Sequence, residues 1–172
     1  MDFKQIMESF GHQTSFTDGQ QKGEFGFVYM FYGQDKYPVY IGSTKNPEAR
    51  LRSHFPVKPR NDTWRSGCLT KDAYDSVQRI MVAYAGNAYD CRAIESWLIR
   101  KYNPSYNTII PFEHEEKKPS NLVFVSFTKQ QFMDDPSIVW RCFTEIIKRY
   151  KNKCYELEQN LSIYKLYDWR NT

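Results

Sequence analysis

The chain is poor in sulfur, poor in histidine and without any long apolar run. Only four of its 172 residues are cysteine. Cys68, Cys91, Cys142 and Cys154 lie far apart with no C-x-x-C pair, and three histidines are too few and too dispersed to complete a clustered zinc site. The thiols therefore read as reduced and structural. No apolar stretch approaches the length of a membrane span, and the opening MDFKQIMESFG lacks a basic start followed by an apolar block. The expectation is an intracellular, cytoplasmic protein with no membrane partner. A formal net charge of +4 is too small to name a partner by itself.

What the sequence does have is carbon. Hydrophobic residues make up 41% and aromatics 17%, enough to bury a substantial core and to make disorder improbable away from the ends. Charge is uneven: Lys45, Arg50, Arg52, Lys58, Arg60, Arg65 and Lys71 face only Glu48 and Asp62 in the same stretch. Such a local excess attracts phosphates, or it is a solvated basic face.

The periodicities lay out the chain. Phe3, Ile6, Met7 and Phe10 have helical spacing and begin an N-terminal arm, residues 1–22. EFGFVYMFY alternates, with Phe25, Phe27, Tyr29 and Phe31 on one face and Val28, Met30 and Tyr32 on the other, which predicts a strand buried on both sides. GQDKYP is turn chemistry, and VYIG is the antiparallel return. Asn46 as cap, Pro47 in the first turn and Glu48 at the dipole start a helix that Pro56 ends near Phe55. A helical turn near TKDAYD, a strand in SVQRIMVAYA and a helix from Ala88 to Tyr102 follow, the last with Asn87 and Asp90 as a capping pair and Asn103-Pro104 as its stop. The charged, proline-bracketed segment 111–119 reads as a linker between a domain at 23–110 and an extension at 120–172. That extension opens with the strand-like NLVFVSF and continues as helices. Within it, Val139, Phe143, Ile146, Ile147 and Tyr150 form a stripe suited to core or subunit contacts, and a homodimer through these helices is one expectation.

Arg50 and His54 are four apart and share one face of their helix, while Leu51 and Phe55 form the neighbouring apolar stripe. One face packs and the other presents a fixed cation and an imidazole. On the later helix Glu95 sits at the margin of the stripe Cys91, Ile94, Trp97, Leu98 and Tyr102. A carboxylate there needs a partner, either a structural one in Arg92 or Arg100 or a bound metal ion. Tyr29 and Tyr40 lie eleven residues apart across the hairpin, where neighbouring strands can aim both phenols at one place.

Taken in order, FVY, then YIG, an arginine eight residues after that glycine, a histidine four further on, a helical glutamate and YN make a pattern that resembles the GIY-YIG nuclease family over about Gly23 to Ile110. YIGST with RLRSHF, and AIESWLIRKYNPSYN, carry the likeness, while Phe27 stands where the family usually has glycine. The resemblance implies a small α/β domain with a three-stranded antiparallel sheet flanked by helices, here followed by a mainly helical C-terminal extension. It also implies a DNA endonuclease working with one divalent ion, Mg²⁺ or Mn²⁺. On the matching positions it implies Tyr29 as general base, Tyr40 positioning water or phosphate, Arg50 on the scissile phosphate, His54 relaying a proton or holding phosphate, Glu95 as the metal ligand and Asn107 as a brace. Lys45, Arg52, Lys58, Arg60, Trp64 and Arg65 then become candidate DNA contacts. The competing expectation is a binding protein that keeps the fold without turnover.

Overall fold

The computed structural model describes residues 26–56, 69–85, 88–107, 116–119, 122–146 and 148–149. Among the described residues the elements are β1 (Phe27–Tyr32), β2 (Pro38–Thr44), α1 (Pro47–His54), α2 (Lys71–Ser76), β3 (Arg79–Tyr84), α3 (Ala88–Tyr102), β4 (Val123–Thr128), α4 (Lys129–Asp134) and a helix, α5, over 138–146. The expected N-terminal arm, Phe25, the expected loop with Lys58, Arg60, Trp64 and Arg65, and the proposed Asn87 cap lie outside the described residues, as do Cys68 and Cys154.

Four strands form one antiparallel sheet in the order β2-β1-β3-β4. This corrects the three-stranded expectation. The three strands read from the sequence are all present, and NLVFVSF supplies the fourth by pairing Val125 with Val82 and Phe127 with Ile80. A free edge on β3 would have exposed a row of unpaired backbone groups beside Ile80 and Val82, and β4 covers it. The segment before β4 is held too: Glu116 pairs with Arg100, and the Lys117 amide donates to the Ala93 carbonyl at 3.2 Å.

Alternation in β1 decides where the core sits. Phe27, Tyr29 and Phe31 face one layer with Leu51, Phe55, Ala73, Phe132, Val139 and Phe143; Val28, Met30 and Tyr32 face the other with Cys91, Ile94, Leu98 and Ile99 of α3. The central strand is buried over its whole length, as its two-sided pattern requires. Three of the helix starts are chemically marked. The Asn46 side chain accepts from the Ala49 amide at 3.1 Å with Pro47 in the first turn, Thr70 caps α2 in the same way, and Thr128 with Gln131 closes a full capping box on α4. Asn103 at φ 45° stops α3 just ahead of Pro104.

Val139 and Phe143, the front of the stripe on which a dimer was expected, are buried inside this single chain against β1 and β3 residues. Their apolar face is used up intramolecularly and does not support the expected homodimer; Ile147 and Tyr150 lie outside the described residues. Cys91 is buried and Cys142 half-buried, both as free thiols. Among the described residues no helix is long and apolar enough to cross a membrane.

Burial on both faces of the sheet also sets an alkaline limit. Burial first, then Tyr102, pushes the Tyr32 phenol up to about 12 against an opposing pull from Arg79, and burial pushes Tyr84 to about 12. Both titrate at 10.0 when unfolded, so the stability they support is whole below pH 10 and lost as pH climbs to about 12 and the folded phenols ionise. Melting temperature is expected to fall steeply across that interval, together with a cooperative rise in tyrosinate absorbance, and Tyr32→Phe should flatten the fall. Non-cooperative titration of these phenols with an unchanged melting temperature would contradict it.

Candidate active site

Tyr29 stands directly across from Gly42 in the β1–β2 register. Its ring lies over that glycine so closely that a Cβ at position 42 would come 2.3 Å from the hydroxyl oxygen and 2.4 Å from Cζ. A real Cβ never approaches that near, and the ring cannot yield because Phe31, Tyr40 and His54 pack around it at centroid distances of 5.2, 6.2 and 5.5 Å. The glycine of YIG is thus the space that Tyr29 occupies.

The helix that follows brings the next two groups. Leu51 and Phe55 anchor α1 on the sheet, with Phe55 edge-on to Phe31 at 4.9 Å. From that anchor Arg50 Nε donates to the Tyr29 hydroxyl at 3.3 Å, and His54 Nε2 lies 2.9 Å from the same oxygen. His54 departs from expectation. It is wholly buried among Phe31, Tyr40 and Phe55 instead of lying on a presented face, because the last turn of α1 dips under the edge of the hairpin. Tyr40 meets it edge-on at 5.5 Å and stacks on Phe31 at 5.4 Å, so both tyrosines do converge.

Glu95 approaches from the other layer. Ser43 points toward α3 by the alternation of β2, and its hydroxyl donates to Glu95 Oε2 at 2.5 Å, within the range of a charge-assisted bond to a carboxylate. Sequence reasoning passed over Ser43, although its place two residues after the buried Ile41 puts it on the α3 face. Cys91, one turn before Glu95, is close enough to Ser43 for the serine to lower its thiol against the stronger upward push of burial. Arg100, one of the partners considered for Glu95, pairs with Glu116.

Asn107 braces by imitation. Its side-chain oxygen accepts from the Ile41 amide at 2.9 Å and its nitrogen donates to the Ile41 carbonyl at 2.8 Å. The side chain does the work of a neighbouring strand residue on the otherwise open edge of β2, and the Tyr106 amide adds a bond to the Val39 carbonyl at 2.9 Å. Ile41 is thereby fixed between Tyr40 and Gly42.

Of the candidate DNA contacts, Lys45 is exposed just after β2, and Arg52 is exposed on α1 but bound to Glu48 at 2.8 Å. Lys58, Arg60, Trp64 and Arg65 fall outside the described residues.

The electrostatics centre on Tyr29. Burial chiefly, then Tyr40, raises its phenol well above the ordinary value; the hydrogen bond and charge of Arg50 pull it back, and the Glu95 carboxylate adds the smallest push upward. Arg50 and Glu95 therefore both act on one phenol although they come from opposite layers of the sheet. A phenol so raised keeps its proton at neutral pH. It has one proton and one oxygen that already accepts from Arg50, so it donates to His54 Nε2 when the imidazole carries its own proton on Nδ1.

Among the described residues there is no cluster of three or more His, Cys, Asp or Glu side chains able to hold a metal ion. A lone carboxylate does not fit zinc. It does fit a hard, hydrated ion that keeps most of its waters.

Residues 25–107 match the GIY-YIG catalytic domain. The chain is 30% identical over 79 residues to UvrABC system protein C of Borrelia duttonii, covering 46% of this chain and 12% of that one. The protein of the same name from Thermosipho africanus is 32% identical over 83 residues, covering 48% and 13%. The chain therefore spans only about an eighth of the length of these curated relatives. No solved structure gives a significant match.

Proposed function

We propose, from the match of residues 25–107 to the GIY-YIG catalytic domain, that the chain is a metal-dependent endonuclease that hydrolyses DNA phosphodiester bonds. The observation that carries this reading is the Tyr29 hydroxyl held between Arg50 Nε and His54 Nε2. Phosphodiester hydrolysis needs a proton taken from water and charge neutralised on the phosphate oxygens, and these three groups supply both functions in one place.

The raised phenol defines how. Tyr29 receives the proton of the attacking water as it passes its own to His54 Nε2, so the phenol carries the proton and the imidazole stores it. No free phenolate is required. Arg50, already within reach of the Tyr29 oxygen, offers its planar guanidinium to the nonbridging oxygens, and Tyr40 shapes the wall against which water and phosphate are oriented. Glu95, steadied by Ser43, would hold Mg²⁺ or Mn²⁺, which when bound lowers the pKa of coordinated water and screens phosphate charge. Lys45 and the basic residues Lys58, Arg60 and Arg65, with Trp64, would carry the DNA backbone.

The test is a cleavage panel on supercoiled plasmid, duplex and single-stranded DNA and RNA, with Mg²⁺, with Mn²⁺ and with chelator. Nicked or cut DNA is expected with either ion and none with chelator. His54→Phe, which keeps the ring packing but removes the proton acceptor, is expected to slow cleavage about 10²-fold. Tight binding to DNA with no product under any ion would favour the alternative, a protein that retains the fold for binding alone.

A further inference from the structure

We propose that Trp140, on α5 and outside the residues that match the family, is a positioning residue that holds the Arg50 helix against β1. Its indole Nε1 donates to Glu48 Oε2 at 2.9 Å across 92 positions of sequence. The other oxygen of Glu48 takes both Nε and a terminal nitrogen of Arg52, at 3.1 and 2.8 Å, so one carboxylate in the first turn of α1 is tied forward to its own helix and outward to α5. The same indole packs edge-on to Phe27 with centroids 5.9 Å apart, and Phe27 is two residues before Tyr29 on β1. Trp140 therefore spans the joint between the element that carries Tyr29 and the element that carries Arg50.

That joint needs a fastener. α1 has only eight residues, too few to be helical without tertiary support, so its attitude on the sheet is set by what it touches. Leu51 and Phe55 fix its C-terminal half, and Trp140 fixes the N-terminal half through Glu48. Arg50 lies between the two fixings. Its 3.3 Å bond to Tyr29 is at the long end of the range, so a small tilt of α1 breaks it.

The inference rests on the nuclease reading for its kinetic consequence but not for its structural one, and the experiment reads both. Trp140→Phe keeps one aromatic ring at the site but removes the indole N–H together with the fused second ring, so Glu48→Ala, which leaves the indole whole, isolates the hydrogen bond. Hydrogen exchange followed by NMR is expected to speed up about 10-fold at the α1 amides and the Arg50 Nε–H, with the amides of β1 and β3 unchanged, as for loss of one charge-assisted bond. On DNA, kcat should fall about 10-fold with KM unchanged, the signature of a misplaced catalytic group. Glu48→Gln, whose amide carbonyl still accepts from the indole, should retain the exchange protection. Glu48→Ala should reproduce Trp140→Phe, and the double variant should be no worse than either. Unchanged exchange at α1 in Trp140→Phe, or additive effects in the double variant, would overturn the proposal. Should the wild-type protein cut no DNA, the nuclease reading fails by itself and the exchange data alone decide whether Trp140 holds the helix.

Discussion

Arg50→Ala is expected to slow DNA cleavage about 10³-fold, the scale seen when a preorganised donor to a developing oxyanion is removed. Two effects act together. The phosphate loses its fixed charge, and Tyr29 loses a neighbour that lowers its phenol against burial and the nearby Tyr40 and Glu95. The fold should hardly register the change, because Arg50 is half-exposed and the Tyr29 hydroxyl keeps His54 at 2.9 Å; a stability loss of about 1 kcal/mol or less is expected. Arg50→Lys should restore little, since an ammonium can neither bridge two phosphate oxygens in a plane nor reproduce the Nε geometry toward Tyr29. Single-turnover cleavage alongside thermal melting separates the two quantities. Near-wild-type cleavage by a folded Arg50→Ala protein would remove Arg50 from the chemistry and with it most of the proposed mechanism.

Phe27→Gly, which restores the family's usual residue, is expected to harm this protein. The Phe27 ring is fully buried and meets Tyr84, Trp140 and Phe143 edge-on at 5.6, 5.9 and 5.9 Å. Deleting it leaves a cavity between β1 and α5 and puts a flexible residue inside the central strand, a combined cost of about 4–5 kcal/mol. For a chain of this size that corresponds to a drop in melting temperature on the order of 10–15 °C. The departure from the motif is thus compensated by aromatic residues more than a hundred positions later. A melting temperature within a degree or two of wild type would mean that α5 does not depend on this ring.

Much of this arrangement could be read beforehand, and the reasons are local. The two-sided alternation of FVYMFY marks a central strand because burial on both faces demands apolar residues at every position. The Asn46-Pro47-Glu48 start and the Asn103-Pro104 stop mark their helices because capping is chemistry between near neighbours. The spacing of Arg50 and His54 places them on one side of a helix by geometry alone. Whether that side faces water or core is not a property of the helix, and here the expectation failed: His54 is buried because Phe31 and Tyr40 arrive from the hairpin to cover it beside its own neighbour Phe55. Ser43 went unnoticed for the same reason, its meaning depending on α3 lying beneath β2. The stripe on α5 was recognised as apolar, but periodicity cannot say whether such a face meets a second chain or its own sheet.

The sequence by itself determined the order of the first three strands and the helices between them, the Asn46 cap, the two faces of β1 and the shared side of one helix for Arg50 and His54, since each depends on residues within a turn or a strand of one another. Only the tertiary structure decided that a fourth strand closes the sheet, that Gly42 is the room Tyr29 fills, that Phe27 is matched by Trp140 and Phe143, and that α5 is tied to Glu48. Those are pairings between distant segments, and their free energy comes from complementary shapes and hydrogen bonds that exist only after the chain has closed on itself.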